Sequence, residues 1–135
     1  MATFVKIDSF VEKLAEKQID LSGAGLTIAL TNTAHTSTWD ELADLTQISY
    51  TNCSSRVVTV STSTQTSGTY KLVCTDLVLT ASGTVGPFRY IYLYDDSGTN
   101  DPLIAYWDYG SSVTLASGET FTIDFNASTG VLTVA

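Results

Sequence analysis

The chain has 135 residues, 44% of them hydrophobic and 15% charged, with a formal net charge of −8; that size fits one domain able to build its own core without a metal or disulfide scaffold. Fourteen acidic residues face six basic ones, which argues against nucleic acid and anionic membrane surfaces as partners, because both require a cationic face. The aromatics and frequent Val, Ile and Leu exclude disorder, while 22 Thr and 15 Ser suit β-strands with a wetted outer face.

Phe4, Val5 and Ile7 form an apolar arm ahead of Ser9 and Glu12, whose spacing is that of a capping box. An amphipathic helix is predicted from Ser9 to Gln18, with Phe10, Val11 and Leu14 on its apolar stripe. This unit, residues 1–20, either packs on its own domain or reaches a neighbouring subunit; in the second case Phe4, Ile7, Phe10 and Leu14 are partner contacts. Ser22-Gly23-Ala24-Gly25 then breaks the helix, and a β-domain is expected over residues 21–135.

Leu26, Ile28 and Leu30 alternate with small or polar residues as in a half-buried strand. Residues 32–47 make a long polar connection with a helical turn at Trp39-Asp40-Glu41-Leu42. A connection of this length is a binding loop, with Trp39 as a further partner contact, or a cover for one end of the domain. Ile48–Tyr50 reads as a short strand. Arg56–Ser63 and Tyr70–Cys74 read as a hairpin around Gln65-Thr66-Ser67-Gly68, and Leu77, Leu79 and Ala81 continue beyond a kink near Asp76.

Phe88, Tyr90, Tyr92 and Tyr94 fall on one face of the next strand and Arg89, Ile91 and Leu93 on the other. That pattern suits a central strand, or one whose outer face meets a partner. After a turn at Asp95–Gly98, Leu103–Trp107 returns the chain. Gly110-Ser111-Ser112 is expected to turn it again before Val113–Leu115, and Phe121–Phe125 and Val131–Val134 complete the series. Eight or nine short antiparallel strands predict an all-β sandwich, jelly-roll-like, preceded by a helix.

No arrangement of residues announces catalysis, and the chain is expected not to be an enzyme. His35 is the single histidine, so neither a Ser/His/Asp nor a Cys/His constellation emerges. With Cys53 and Cys74 it makes only three soft ligands, too few for zinc. No glycine-rich phosphate loop occurs, and neither cofactor nor metal is expected. Asp95, Asp96, Asn100 and Asp101 crowd one turn; they are oxygen ligands for calcium or, more simply, turn residues bonding their own backbone.

No leader or long apolar segment is visible, so folding in the cytoplasm with reduced cysteines is expected, Cys74 acting as a small buried hydrophobe. Asn52-Cys53-Ser54 and Asn126-Ala127-Ser128 match the glycosylation pattern by coincidence on this reading. Tyr106, Trp107 and Tyr109, near Asp108, are either core aromatics or the members of a sugar-stacking face.

Four stretches carry a resemblance: Leu26-Thr-Ile-Ala-Leu-Thr-Asn32, Glu41-Leu-Ala-Asp-Leu-Thr-Gln-Ile48, Gly86-Pro-Phe-Arg-Tyr-Ile-Tyr-Leu-Tyr94 and Asp101-Pro-Leu-Ile-Ala-Tyr-Trp-Asp-Tyr-Gly110, the last running on into Val113–Phe121. In that order they resemble a family of small tailed-bacteriophage and prophage virion proteins, over nearly the whole chain. None of these motifs carries chemistry. The resemblance implies a non-enzymatic structural component of a phage particle, and members are variously described as head decoration, tail or fibre-related proteins. A small acidic β-module with an N-terminal arm favours head decoration: a cement protein, forming homo-oligomers and bound to the major capsid protein through many weak contacts repeated by symmetry. A tail or tail-fibre component is the second choice and a carbohydrate-binding module the third. On the first two readings the expected location is the virion.

Overall fold

The computed structural model describes residues 2–23 and 25–135, and Ala24 of the expected helix break lies outside them. In chain order the described elements are β1 (Phe4–Lys6), α1 (Phe10–Ala15), β2 (Leu26–Thr31), a single 3-10 turn (Leu42–Asp44), β3 (Val60–Thr66), β4 (Thr69–Cys74), β5 (Leu77–Thr80), β6 (Val85–Asp95), β7 (Leu103–Leu115), β8 (Thr120–Ile123) and β9 (Leu132–Val134). They form three antiparallel sheets in the orders β1-β7-β6-β2, β3-β4-β9 and β5-β8. The fold is therefore all-β and sandwich-like, as the alternation predicts.

The four-stranded sheet is the organising layer. Its central strands β6 and β7 pair through Ile91↔Trp107, Tyr92↔Tyr106 and Leu93↔Ala105. Ile28, Leu30, Ile91 and Leu93 are buried on one face, in a single core shared with Leu72 and Leu79 of the smaller sheets and with Phe125 and Leu132. Phe121, on β8, packs edge-on against Phe88 at 5.2 Å. Burial on both sides explains why Ile91 to Tyr94 are all nearly inaccessible, the central-strand alternative of the sequence reading.

Several local expectations give way to tertiary pairing. The arm is a strand: β1 aligns Phe4 with Trp107 and Val5 with Tyr106 at the edge of the main sheet. The helix is shorter than Ser9–Gln18, ending at Ala15. Ser9 makes no capping bond and its buried hydroxyl has no partner among the described residues. Reciprocal capping forms instead at the 3-10 turn, between Glu41 and Asp44. Ile48–Tyr50 is not a strand; only Gln47 bridges to Thr31.

Gly110-Ser111-Ser112 does not reverse the chain. β7 continues through it, while the pairing steps from Tyr90↔Asp108 to Phe88↔Val113, so Tyr109–Ser112 bulge out of the ladder. Gly110 takes φ +96°, and an added Cβ there would meet nothing within 4 Å. Its backbone angle, and not crowding, is what calls for glycine. The same irregularity breaks the expected alternation of β6. Phe88 packs toward β8, away from the side on which Tyr92 meets His35. The hairpin between β3 and β4 is tighter than expected, turning only at Ser67 (φ +51°) and Gly68 (φ +83°).

Candidate functional site

Alternation along β7 sends Tyr106 and Asp108 to one face of the main sheet and Trp107 and Tyr109 to the other. The trio that looks like one sugar-stacking surface in sequence is thus split, and each face has its own concavity.

The first face is closed by the 32–47 connection. His35 stacks on Tyr106 with ring centroids 4.4 Å apart and planes 24° from parallel. Its Nδ1 lies 2.9 Å from the Tyr92 hydroxyl, and Trp39 meets the imidazole edge-on at 5.7 Å. Burial lowers the His35 pKa below the ordinary imidazole value, and the nearby Asp8 opposes that shift. Burial also pushes the Tyr92 phenol upward, as do the nearby Tyr106 and Tyr90. The His35–Tyr92 hydrogen bond and the His35–Tyr106 stack fasten the connection to the sheet.

Lys13 fastens it a second time. This buried lysine donates to the Asp40 carbonyl at 3.0 Å and lies 3.2 Å from its carboxylate. A shallow polar depression of about 520 Å3 remains beside this cover, lined by His35, Tyr90, Tyr106 and Asp108 with Thr3 and Val5. Asp108 is committed within it. Arg89 grips the carboxylate at 2.7 and 3.0 Å, and the Gly110 amide donates to it at 2.8 Å. Those hydrogen bonds hold its pKa below the usual carboxylate range.

The second face is left partly open where β8 stops short of covering β7. A groove of about 390 Å3 runs there, with Phe4, Trp107, Tyr109 and Phe121 along it and Asp124 and Asn126 on the rim. Trp107 is wedged edge-on between Phe4 at 5.7 Å and Phe125 at 6.1 Å. Tyr109, 51% exposed, leans edge-on against Phe121 at 5.2 Å. Sequence reading missed Phe121, Asp124 and Asn126 as members, because only the packing of β8 across β7 brings them there.

The crowded acidic turn has a structural explanation. The carboxylate of the fully buried Asp95 accepts from the Asp20 amide at 2.7 Å, the Ser97 amide at 2.9 Å and the Ser97 hydroxyl at 2.6 Å. Among the described residues, no three His, Cys, Asp or Glu side chains stand together as a metal site. Cys53 and Cys74 are free thiols, and burial pushes the Cys74 pKa up to about 11, as expected of an inert core residue.

Of the residues expected to touch a partner, Ile7 and Phe10 are buried in this chain's own core, and Phe4, Leu14 and Trp39 pack against it half-buried. A strand and helix that complete their own sheet turn their large apolar side chains inward. The apolar side chains they leave outside are Val5 and Val11, 38% and 52% exposed, which sequence reading did not single out as contacts. A scan of protein-family models, a search of curated proteins and a search of solved structures each found no match to this chain.

Proposed function

We propose that this chain is a non-enzymatic structural protein of a tailed-phage particle, a decoration protein that binds the outside of the head and stabilises it. One observation supports the reading beyond the bare resemblance: three of its four stretches supply neighbouring strands of one sheet, and the fourth bridges to the ends of two of them. Leu26–Asn32 contains β2, Gly86–Tyr94 lies in β6 and Asp101–Gly110 begins β7. Glu41–Ile48 bridges to both sides, through Gln47 to Thr31 and through Glu41 to Pro102. Resemblance concentrated in a scaffold, and not in a constellation of reactive side chains, is what a structural role requires.

The partner on this reading is the major capsid protein, met by many copies of the chain. Exposed Val5 and Val11 at the N-terminal edge are the contacts to test, and the acidic surface favours a basic patch opposite. A tail or tail-fibre component is the second reading, favoured by the open aromatic groove. Immunogold labelling of purified particles separates the two. Gold spread over the heads is the expected result; gold confined to the tail overturns decoration, and bare particles overturn both.

A further inference from the structure

We propose that the groove between β7 and β8 is a binding site for an uncharged oligosaccharide. This inference does not rest on the virion reading and would hold for this chain in any setting. The groove combines two kinds of surface that saccharides require together. Trp107, Tyr109 and Phe121 offer flat apolar rings. Their edge-on packing fixes the ring planes without locking those three rings face to face in stacks, so they suit the apolar C–H faces of sugar rings.

The rim supplies the polar half. Asn126 is held in place because its Oδ1 accepts from the Ser128 and Thr129 amides at 2.8 and 3.0 Å, so its Nδ2 is the group left to donate to a ligand. Exposed Asp124 adds carboxylate acceptors. A hydroxyl both donates and accepts, so a sugar satisfies donor and acceptor alike. The volume of about 390 Å3 falls within the usual range of small-molecule sites, roughly 300–1,000 Å3.

Charge selects among sugars. Among the described residues no Lys, Arg or His lines the groove, Asp124 stands on its rim and the chain carries −8 overall. Sialylated or phosphorylated glycans would meet repulsion without a compensating cation, whereas neutral ones would not. A purely apolar partner is disfavoured by the same rim, since docking it would strip water from Asp124 without replacing the lost hydrogen bonds.

The two tryptophans make the test internally controlled, for Trp107 lies in the groove and Trp39 on the opposite face of the sheet. The full chain is titrated with lactose, cellobiose and diacetylchitobiose while both indole N–H resonances are followed by NMR. At least one of these sugars, at millimolar concentration, is expected to shift Trp107 and leave Trp39 in place. Tyr109→Ala, at a half-exposed position, is expected to weaken that binding by about tenfold, and Asp124→Asn gives a second variant that leaves the apolar packing untouched. Sialyllactose should bind more weakly than lactose.

The proposal is overturned if none of the neutral sugars moves Trp107, if binding persists unchanged in both variants, or if Trp39 responds instead. Equal binding of sialyllactose would overturn the charge argument. A Trp107 shift with benzyl alcohol and with none of the sugars would make the groove an apolar docking face and overturn the saccharide assignment.

Discussion

The two faces of the main sheet start from similar material and end differently. Tyr92 and Tyr106, on one side, are cross-strand partners on β6 and β7, whereas Trp107 and Tyr109, on the other, lie two residues apart on β7. On the first side a sixteen-residue connection (32–47) folds back and covers them with His35 and Trp39, leaving Tyr92 fully buried. On the second side β8 is only four residues long, and Tyr109 stays half-exposed. Aromatic content therefore does not distinguish core from binding surface here; what lies across the strand does. Buried phenols on the covered side must find polar partners, which Tyr92 does in His35. Rings on the open side hold their edges against one another and keep surface for something else.

The largest expected effect sets the two faces directly against each other. Tyr92→Ala opens a cavity beneath the connection and should cost about 3–5 kcal/mol, the usual loss for a buried aromatic. Tyr109→Ala, on the other face, should change stability by about 0.5 kcal/mol. Urea denaturation of both variants reads the difference, and equal losses would mean that the groove is as much core as the covered face.

A smaller effect comes from acid. Because the folded-state pKa of His35 lies below the ordinary 6.5, the unfolded chain takes up a proton more readily than the folded one in the interval between the two values. Stability from this group is present above pH 6.5 and is lost as pH falls toward the folded pKa. A lower thermal midpoint on acidification below pH 6.5, abolished in part by His35→Gln, is the expected result. Amide exchange should speed up first in the 32–47 connection, while the groove side, which holds no histidine, stays as it was.

The smallest effect concerns the helix that precedes both faces. A capping serine usually contributes about 1 kcal/mol, but Ser9 makes no capping bond. Ser9→Ala should therefore leave the unfolding midpoint nearly unchanged, within about 0.5 kcal/mol. A full cap's worth of loss would show that the hydroxyl bonds the helix end after all.

How far the chain could be read from its letters differs between these regions. The strand Thr120–Ile123 was legible because strict alternation of apolar and polar residues has one backbone explanation, while Leu26–Thr31, legible as a strand but expected half-buried, is buried on both faces. Tyr70–Cys74 and the Ser67-Gly68 turn were legible for a similar reason, since positive φ at two successive positions favours few residue types. Phe88 was misplaced because the register breaks between it and Tyr90, opposite the Tyr109–Ser112 bulge on β7, which lies more than twenty residues away in the chain. The turn at Gly110 was overread because glycine marks both turns and bulges. Ile7 and Phe10, expected as partner contacts from their apolar character, are buried in this chain's own core.

The sequence alone determined the class of this protein: an acidic chain rich in Thr and aromatics, alternating with period two, makes antiparallel sheets. Local chemistry suffices for that, because side-chain period and turn residues act within a few positions. Which faces were covered was decided only in the tertiary structure. The pairing of β1 with β7, the fold of residues 32–47 onto Tyr92 and Tyr106, and the packing of Phe121 on β8 against Tyr109 all join residues distant in the chain. Alternation names two faces for every strand but cannot say what lies across either one.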